Sequence, residues 1–186
     1  YIAKDNLEHQ RLEKQFSEKK QWVEGVPKLK TIAQIFKEHG DYEEIGSVKG
    51  SELVGLEYIG PFDELDAQNK PGGFPYIDEE LEKGGITSVM QHRVIDPGKD
   101  KIGNDIVVSG EGTGIVHMAP GCGDIDHKVG KDKGLINIAP LDEEAKFRSG
   151  FGWLENKSAT DPDIIEQIIQ DLKAREVRVH VEEYPH

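Results

Sequence analysis

Residues that break regular backbone structure concentrate between residues 111 and 126, and they constrain the fold more than any other part of this sequence. A glycine–threonine–glycine tripeptide at residues 112–114 predicts a tight turn. The two β-branched residues that follow predict a short buried strand ending at His117. A proline and two glycines at residues 120–123 exclude regular structure, so the backbone must turn sharply after the histidine.

His117 and Asp126 are therefore candidate site residues. A titratable ring at the end of a strand and a carboxylate beyond a glycine-rich loop are typical of small-substrate sites. The residues alone leave alternatives open, because His117 could be a core histidine bonded to the backbone and Asp126 could cap a helix beginning near His127. Asp124 has the same chemistry and is interpreted as a loop or capping residue.

The composition predicts a soluble domain of ordinary size. Of the 186 residues, 35% are hydrophobic and 32% charged, and no apolar run is long enough to cross a membrane. The single cysteine, Cys122, excludes an internal disulfide and indicates a reducing cytoplasm. We expect no metal site, because the sequence has neither a thiolate pair nor an HExxH spacing. The net charge of −13 is unusual for a surface that binds nucleic acid.

Helical patterns occur at residues 3–20, 31–39 and 159–174, and in the last of these Asp161 is the expected N-cap and Pro162 the first helical residue. Many short strands placed among these helices predict either an α+β fold or a β-rich barrel with peripheral helices. The predicted strands cover residues 47–58, 86–95, 105–109 and 177–181, and residues 66–75 are a predicted surface loop. The predicted core consists of Ile115, Val116, Ile136, Ile138, Ile164, Ile168 and residues 177–181.

Residues 112–120, with Gly123 and Asp126, resemble the signature of the editing domain of isoleucyl-tRNA synthetase. This domain is the insertion called connective polypeptide 1. The valyl and leucyl insertions share the first tripeptide, whereas the histidine and the Ala-Pro-Gly-Cys-Gly sequence favour the isoleucyl branch. The similarity runs from about residue 49 to the C-terminus, and residues 1–46 match weakly. Its further segments are residues 49–58, 60–65, 140–144, 150–154 and 183–186.

The resemblance implies one editing domain over residues 1–186, with the β-barrel-like core and peripheral helices of class I synthetase editing domains. It implies hydrolysis of mischarged valyl-tRNA(Ile), with the tRNA 3′ end and the rest of the synthetase chain as partners. The residue matching His117 positions the terminal ribose and the ester or attacking water, and the residue matching Asp126 binds the α-amino group. Gly112, Thr113 and Gly114 form the substrate-binding turn. Editing needs no cofactor, since ATP is used by the separate catalytic domain that ligates isoleucine to its tRNA.

One departure from the family keeps another function open. The family's pocket is completed by an upstream threonine-rich peptide, whereas no two of the four threonines here are adjacent. The alternative is a non-hydrolytic insert that binds the tRNA 3′ end. Editing by a related valyl-type synthetase is a third alternative, which His117 and the Ala119-Pro120 pair disfavour. Because the sequence starts at Tyr1 without methionine, we expect it to be a segment of a larger synthetase.

Overall fold

The computed structural model describes residues 1–8, 30–108 and 112–181. The chain divides into two compact units. The first comprises Tyr1–Val48, Pro97–His117 and His180–His186, and the second comprises Lys49–Asp96 and Met118–Val179. Most of the predicted helix over residues 3–20 and the matching segment 183–186 lie outside the described residues. The assignment of residues 1–186 to a single editing domain stays a prediction.

The first unit contains a 3₁₀ turn, Lys4–Asn6, and helix α1, Ile32–Glu38. Thr31 and Gln34 form a capping box, in which the Thr31 hydroxyl accepts from the Gln34 amide and the Gln34 side chain accepts from the Thr31 amide. The helix buries its apolar face and ends at His39. The helix predicted over residues 31–39 is therefore confirmed, and its boundaries follow from the capping residues.

The second unit contains four helices among its described residues: α2 (Gly50–Leu53), α3 (Glu79–Lys83), α4 (Asp124–Asp132) and α5 (Pro162–Ala174). The N-cap of α5 is Asp161, whose carboxylate accepts from the Asp163 amide at 2.9 Å, and Pro162 is the first helical residue, as predicted. Short 3₁₀ turns lie at Asp66–Asn69, Val89–Gln91 and Gly152–Leu154. Within the described ranges, no helix is long and apolar enough to span a bilayer.

The core of the second unit forms where α5 packs on two loops. Ala67, Phe151, Leu154 and Ile164 are buried together. The Phe151 ring lies 6.2 Å from the rings of both Phe74 and Phe147, measured between centroids. Ala67 is completely buried, so the predicted surface loop at residues 66–75 is wrong. This loop instead supplies part of the core.

The predicted β-barrel-like core is wrong. The described part of the chain contains no strand, only isolated bridges such as Glu57 with Arg93 and Lys99 with Asp105. Helix α2 forms within residues 47–58, which were predicted as two short strands joined by a turn, and there the Glu52 carboxylate accepts from the Lys49 amide. A 3₁₀ turn interrupts the predicted strand 86–95. Alternating apolar residues favour an extended backbone locally, but they do not specify a partner segment over several residues.

About half of the residues predicted to form the core are exposed instead. Ile136 and Ile164 are buried, and Ile138 and Ile168 pack against the core cluster. The remaining predicted core residues are exposed, because the described structure contains no sheet in which they would pack. These exposed residues are Ile115, Val116, Val177, Val179 and Val181.

Candidate functional site

The glycine–threonine–glycine tripeptide forms the predicted tight turn in the first unit. Gly112 and Gly114 have φ angles of +52° and +79°, which glycine adopts without steric cost. The Thr113 hydroxyl closes the turn: it donates to the Ile115 carbonyl at 3.0 Å and lies 3.2 Å from the Ile115 amide. Thr113 therefore holds the backbone in shape, which is the structural role that a threonine between two glycines indicates.

A second set of contacts to this turn comes from the N-terminal segment. The Ala3 amide donates to the Thr113 carbonyl at 2.7 Å, and the Asn6 side-chain amide donates to the Gly112 carbonyl at 3.1 Å. Asn6 is only 1% exposed. Asn6 could not be predicted from the sequence, because an asparagine in a charged stretch has no pattern that distinguishes a buried side chain from a solvated one.

His117 is exposed and lies outside regular secondary structure in the first unit. Its ring makes no hydrogen bond to any residue that the structure describes, so the alternative of a buried core histidine is wrong. The strand expected before it is absent, and Ile115 and Val116 are exposed. The imidazole is thus available to solvent.

Asp126 lies in the first turn of α4, in the second unit. Its Oδ2 atom accepts a hydrogen bond from the Ala119 backbone amide at 3.0 Å, while Oδ1 makes none to a described residue. The helix begins at Asp124 after the N-cap Gly123, so the alternative that Asp126 caps a helix starting near His127 is wrong. The carboxylate instead closes the loop between Ala119 and the helix.

This loop is packed tightly at one glycine. A Cβ atom added to Gly121 would lie 1.9 Å from the Ile138 carbonyl oxygen, a separation that no side chain tolerates. A Cβ atom added to Gly123 would meet no other atom within 4 Å. The sharp bend predicted at residues 120–123 therefore depends on close backbone approach at Gly121.

Two further side chains that could take part in chemistry lie in or beside this loop, Cys122 and His127. The single thiol, Cys122, is exposed, and its pKa is raised first by loss of hydration and second by the Asp126 charge. A raised pKa disfavours the thiolate, which argues against Cys122 as a nucleophile. His127 Nδ1 lies 3.2 Å from the Pro120 carbonyl oxygen and 3.4 Å from the side-chain nitrogen of Asn137.

His117 and Asp126 belong to different units, and their convergence on one cavity stays a prediction. Within the described ranges, no group of three or more histidine, cysteine, aspartate or glutamate side chains is arranged to hold a metal ion. The local geometry thus provides a turn that presents backbone groups, an accessible imidazole and a carboxylate with one oxygen that no described residue bonds.

Comparisons with known proteins establish the family. The chain is 32% identical to isoleucine–tRNA ligase of Methanocaldococcus jannaschii over 183 residues, which is 94% of its length. The chain belongs to the isoleucyl-tRNA synthetase family. It is 33% identical to the isoleucine–tRNA ligase of Treponema denticola over 89% of its length and 32% identical to that of Methanothermobacter marburgensis over 88%.

This family relationship confirms the resemblance predicted from the motifs. The chain spans 15%, 14% and 13% of the lengths of these three synthetases, respectively. No protein-family model matches the chain, and no solved structure does so.

Proposed function

We propose that this chain is an editing domain that hydrolyses the ester joining valine to tRNA(Ile). Membership of the isoleucyl-tRNA synthetase family carries the proposal, and the site motif supports it. A pocket built for isoleucine cannot strongly exclude valine, because one missing methylene changes binding by only about 1–3 kcal/mol, a magnitude for which this enzyme family is itself the standard example. A second, smaller hydrolytic pocket removes the valine that is attached in error.

His117 is proposed to orient the ester or the attacking water. Its ring is exposed and has no hydrogen-bond partner among the described residues, so its nitrogens are available to a substrate or to water. Water attack at the ester carbonyl breaks the bond to the ribose oxygen and releases valine and tRNA with a free 3′ end. Because the ester is activated, positioning of water and carbonyl supplies much of the acceleration.

Asp126 is proposed to bind the α-ammonium group of the valyl moiety. Its Oδ2 is bonded to Ala119, which fixes the carboxylate on α4, and Oδ1 remains available to accept a charge-assisted hydrogen bond. A charged anchor of this kind distinguishes an aminoacyl ester from an uncharged tRNA end. The Gly112–Gly114 turn would bind the terminal nucleotide through its backbone.

The net charge of −13 favours a limited contact with tRNA over a broad one. In this proposal the chain contacts only the 3′-terminal nucleotides, while the rest of the synthetase holds the tRNA body. No step of the proposed hydrolysis uses a cofactor, and ATP serves only the separate ligase domain. The proposed location is the cytoplasm, where tRNA charging takes place.

The proposal is tested by incubating the chain with valyl-tRNA(Ile) and, in parallel, with isoleucyl-tRNA(Ile). We expect release of valine well above the spontaneous rate and little release of isoleucine. Equal, spontaneous rates for both esters would overturn the proposal. If an electrophoretic shift assay then showed binding of the tRNA without hydrolysis, the non-hydrolytic 3′-end insert would be the correct function.

A further inference from the structure

The substrate-binding turn at Gly112–Gly114 is anchored by residues more than a hundred positions earlier in the chain. Asn6 is almost completely inaccessible to solvent, and its side-chain amide donates to the Gly112 carbonyl at 3.1 Å. Burying an amide is unfavourable unless its polar atoms find partners, because the hydrogen bonds to water are lost. The position of Asn6 is therefore coupled to the position of the Gly112 carbonyl.

Two more contacts fix the next two residues of the turn. The Ala3 amide donates to the Thr113 carbonyl at 2.7 Å. A Cβ atom added to Gly114 would lie 2.5 Å from the Ala3 Cβ, so the two backbones are in close contact there. Each residue of the turn thus has its own contact with the N-terminal segment, which leaves the turn little freedom to shift.

The anchor is itself attached to a regular element. The Asn6 amide donates to the Ala3 carbonyl and closes the 3₁₀ turn, and the Ala33 amide of α1 donates to the Leu7 carbonyl. Helix α1 is fixed by its capping box and buried apolar face. The contacts therefore run from a capped helix through Asn6 to the turn that leads directly to His117.

We propose that Asn6 is a positioning residue for the editing reaction, an inference that rests on the proposed function. Asn6 acts through the Gly112 carbonyl and holds the Gly112–Gly114 turn where it binds the terminal nucleotide. Residues 1–46, which match the family motifs weakly, would thereby contribute to the site. Displacement of a binding element by about 1 Å can lower a rate about a hundredfold, because reaction depends on near-attack geometry.

Hydrogen exchange tests the anchor without reference to activity. In Asn6→Ala, we expect the backbone amides of Ala3 and Ile115, which donate to the Thr113 carbonyl and hydroxyl, to exchange at least about ten times faster than in the unmodified chain, since the turn loses a buried hydrogen bond. Asn69→Ala is the matched control, because Asn69 also donates from its side chain to backbone carbonyls, those of Asp63 and Leu65, but in the other unit. Unchanged exchange in Asn6→Ala would overturn the inference.

Deacylation kinetics test the functional consequence. With valyl-tRNA(Ile), Asn6→Ala should lower kcat about 10- to 100-fold while KM changes less than about threefold, at a temperature where circular dichroism shows the chain folded. Asn69→Ala should retain both constants. A positioning role would be contradicted if activity fell only in proportion to the amount of folded protein, or if kcat did not change.

Gly114→Ala provides an independent variant if Asn6→Ala does not fold. Its new methyl group would collide with Ala3 and should reproduce both the faster exchange and the kcat loss. Absence of valine release by the unmodified chain would overturn the proposed function and the catalytic part of this inference, whereas the exchange experiment would still decide whether Asn6 anchors the turn.

Discussion

The carboxylate of Asp126 accepts a hydrogen bond from the backbone amide of Ala119 at 3.0 Å. This bond joins the first turn of α4 to the start of the Ala-Pro-Gly-Cys-Gly loop. The negative charge of Asp126 therefore lies close enough to the loop to raise the pKa of the Cys122 thiol. A cysteine that is the only one in the chain can report on this charge directly.

Asp126→Asn should make Cys122 more reactive. Removing the charge lowers the thiol pKa, so more thiolate is present at pH 8 and alkylation by iodoacetamide should be several-fold faster. The pKa should stay above its ordinary value, because loss of hydration is the larger cause of the shift. Asp124→Asn is the control and should change the rate much less. Equal alkylation rates in the unmodified chain and in Asp126→Asn would show that the carboxylate does not act on the thiol.

The same Asp126→Asn substitution should impair editing. Asparagine keeps the shape of the side chain but removes its negative charge, so binding or hydrolysis of valyl-tRNA(Ile) should weaken by about 1.5–3 kcal/mol. Deacylation rates over a range of substrate concentrations measure this loss. Asp124→Asn should reduce the deacylation rate much less. Equal losses of rate in the two variants would argue for a general effect of the loop's charge.

His117→Ala should slow release of valine by about ten- to a thousandfold, the range for losing one positioned polar group. The measurement is single-turnover deacylation with the chain in excess over valyl-tRNA(Ile). His39→Ala is a suitable control because His39 is also exposed and lies in the same unit. If both variants retain full activity, His117 has no part in the reaction.

Tyr58 should make stability depend on pH in the alkaline range. Its ring stacks on His92, with centroids 5.2 Å apart, and burial followed by the Asp63 charge raises the pKa of the phenol. A raised pKa favours the neutral form in the folded state, so this contribution is complete below pH about 10 and is lost as pH rises through the folded pKa. Tyr76→Phe is the control, because Tyr76 is 70% exposed against 52% for Tyr58. Between pH 9 and pH 11, the free energy of unfolding measured by urea denaturation should fall less in Tyr58→Phe than in this control, which keeps the Tyr58 phenol. Identical losses would contradict the shift.

Two adjacent isoleucines in α5 should differ sharply in their contribution to stability. Ile164 is 7% exposed and belongs to the core cluster, whereas Ile165 is 44% exposed. Ile164→Ala should lower the free energy of unfolding by about 2–4 kcal/mol through lost burial and a residual cavity. Ile165→Ala should cost less than about 1 kcal/mol. Urea denaturation measures both, and similar values would mean that α5 packs through a different face.

Local signals in the sequence predicted helices α1 and α5. The caps at Thr31 and Asp161 and the proline at residue 162 determine helix starts through interactions within one turn, so the sequence contains the whole explanation. The predicted strands were wrong because strand pairing joins segments that are distant in the sequence, and local patterns do not specify those partners. Val177 and Val179 alternate with polar residues as a strand requires, yet both are exposed and neither forms a bridge among the described residues.

Some features of the candidate site could likewise be predicted from local sequence, and others could not. Residues 112–114 and the bend at residues 120–123 were predictable because glycine and proline have strong backbone preferences. The contact of Asn6 with Gly112 was not, since it joins segments far apart in the sequence and involves a residue without a distinguishing pattern. The start of α4 at Asp124 was also missed, because its N-cap, Gly123, supplies no side-chain acceptor.

The contact between Gly121 and the Ile138 carbonyl limits which residues of this loop can be varied. Any residue other than glycine at position 121 would clash with that carbonyl, because even a methyl group has no room there. Cys122 is exposed and a side chain at residue 123 would face open space, so substitutions are best made at those two positions. Engineering of this loop should therefore treat Gly121 as a constant and vary the residues that follow it.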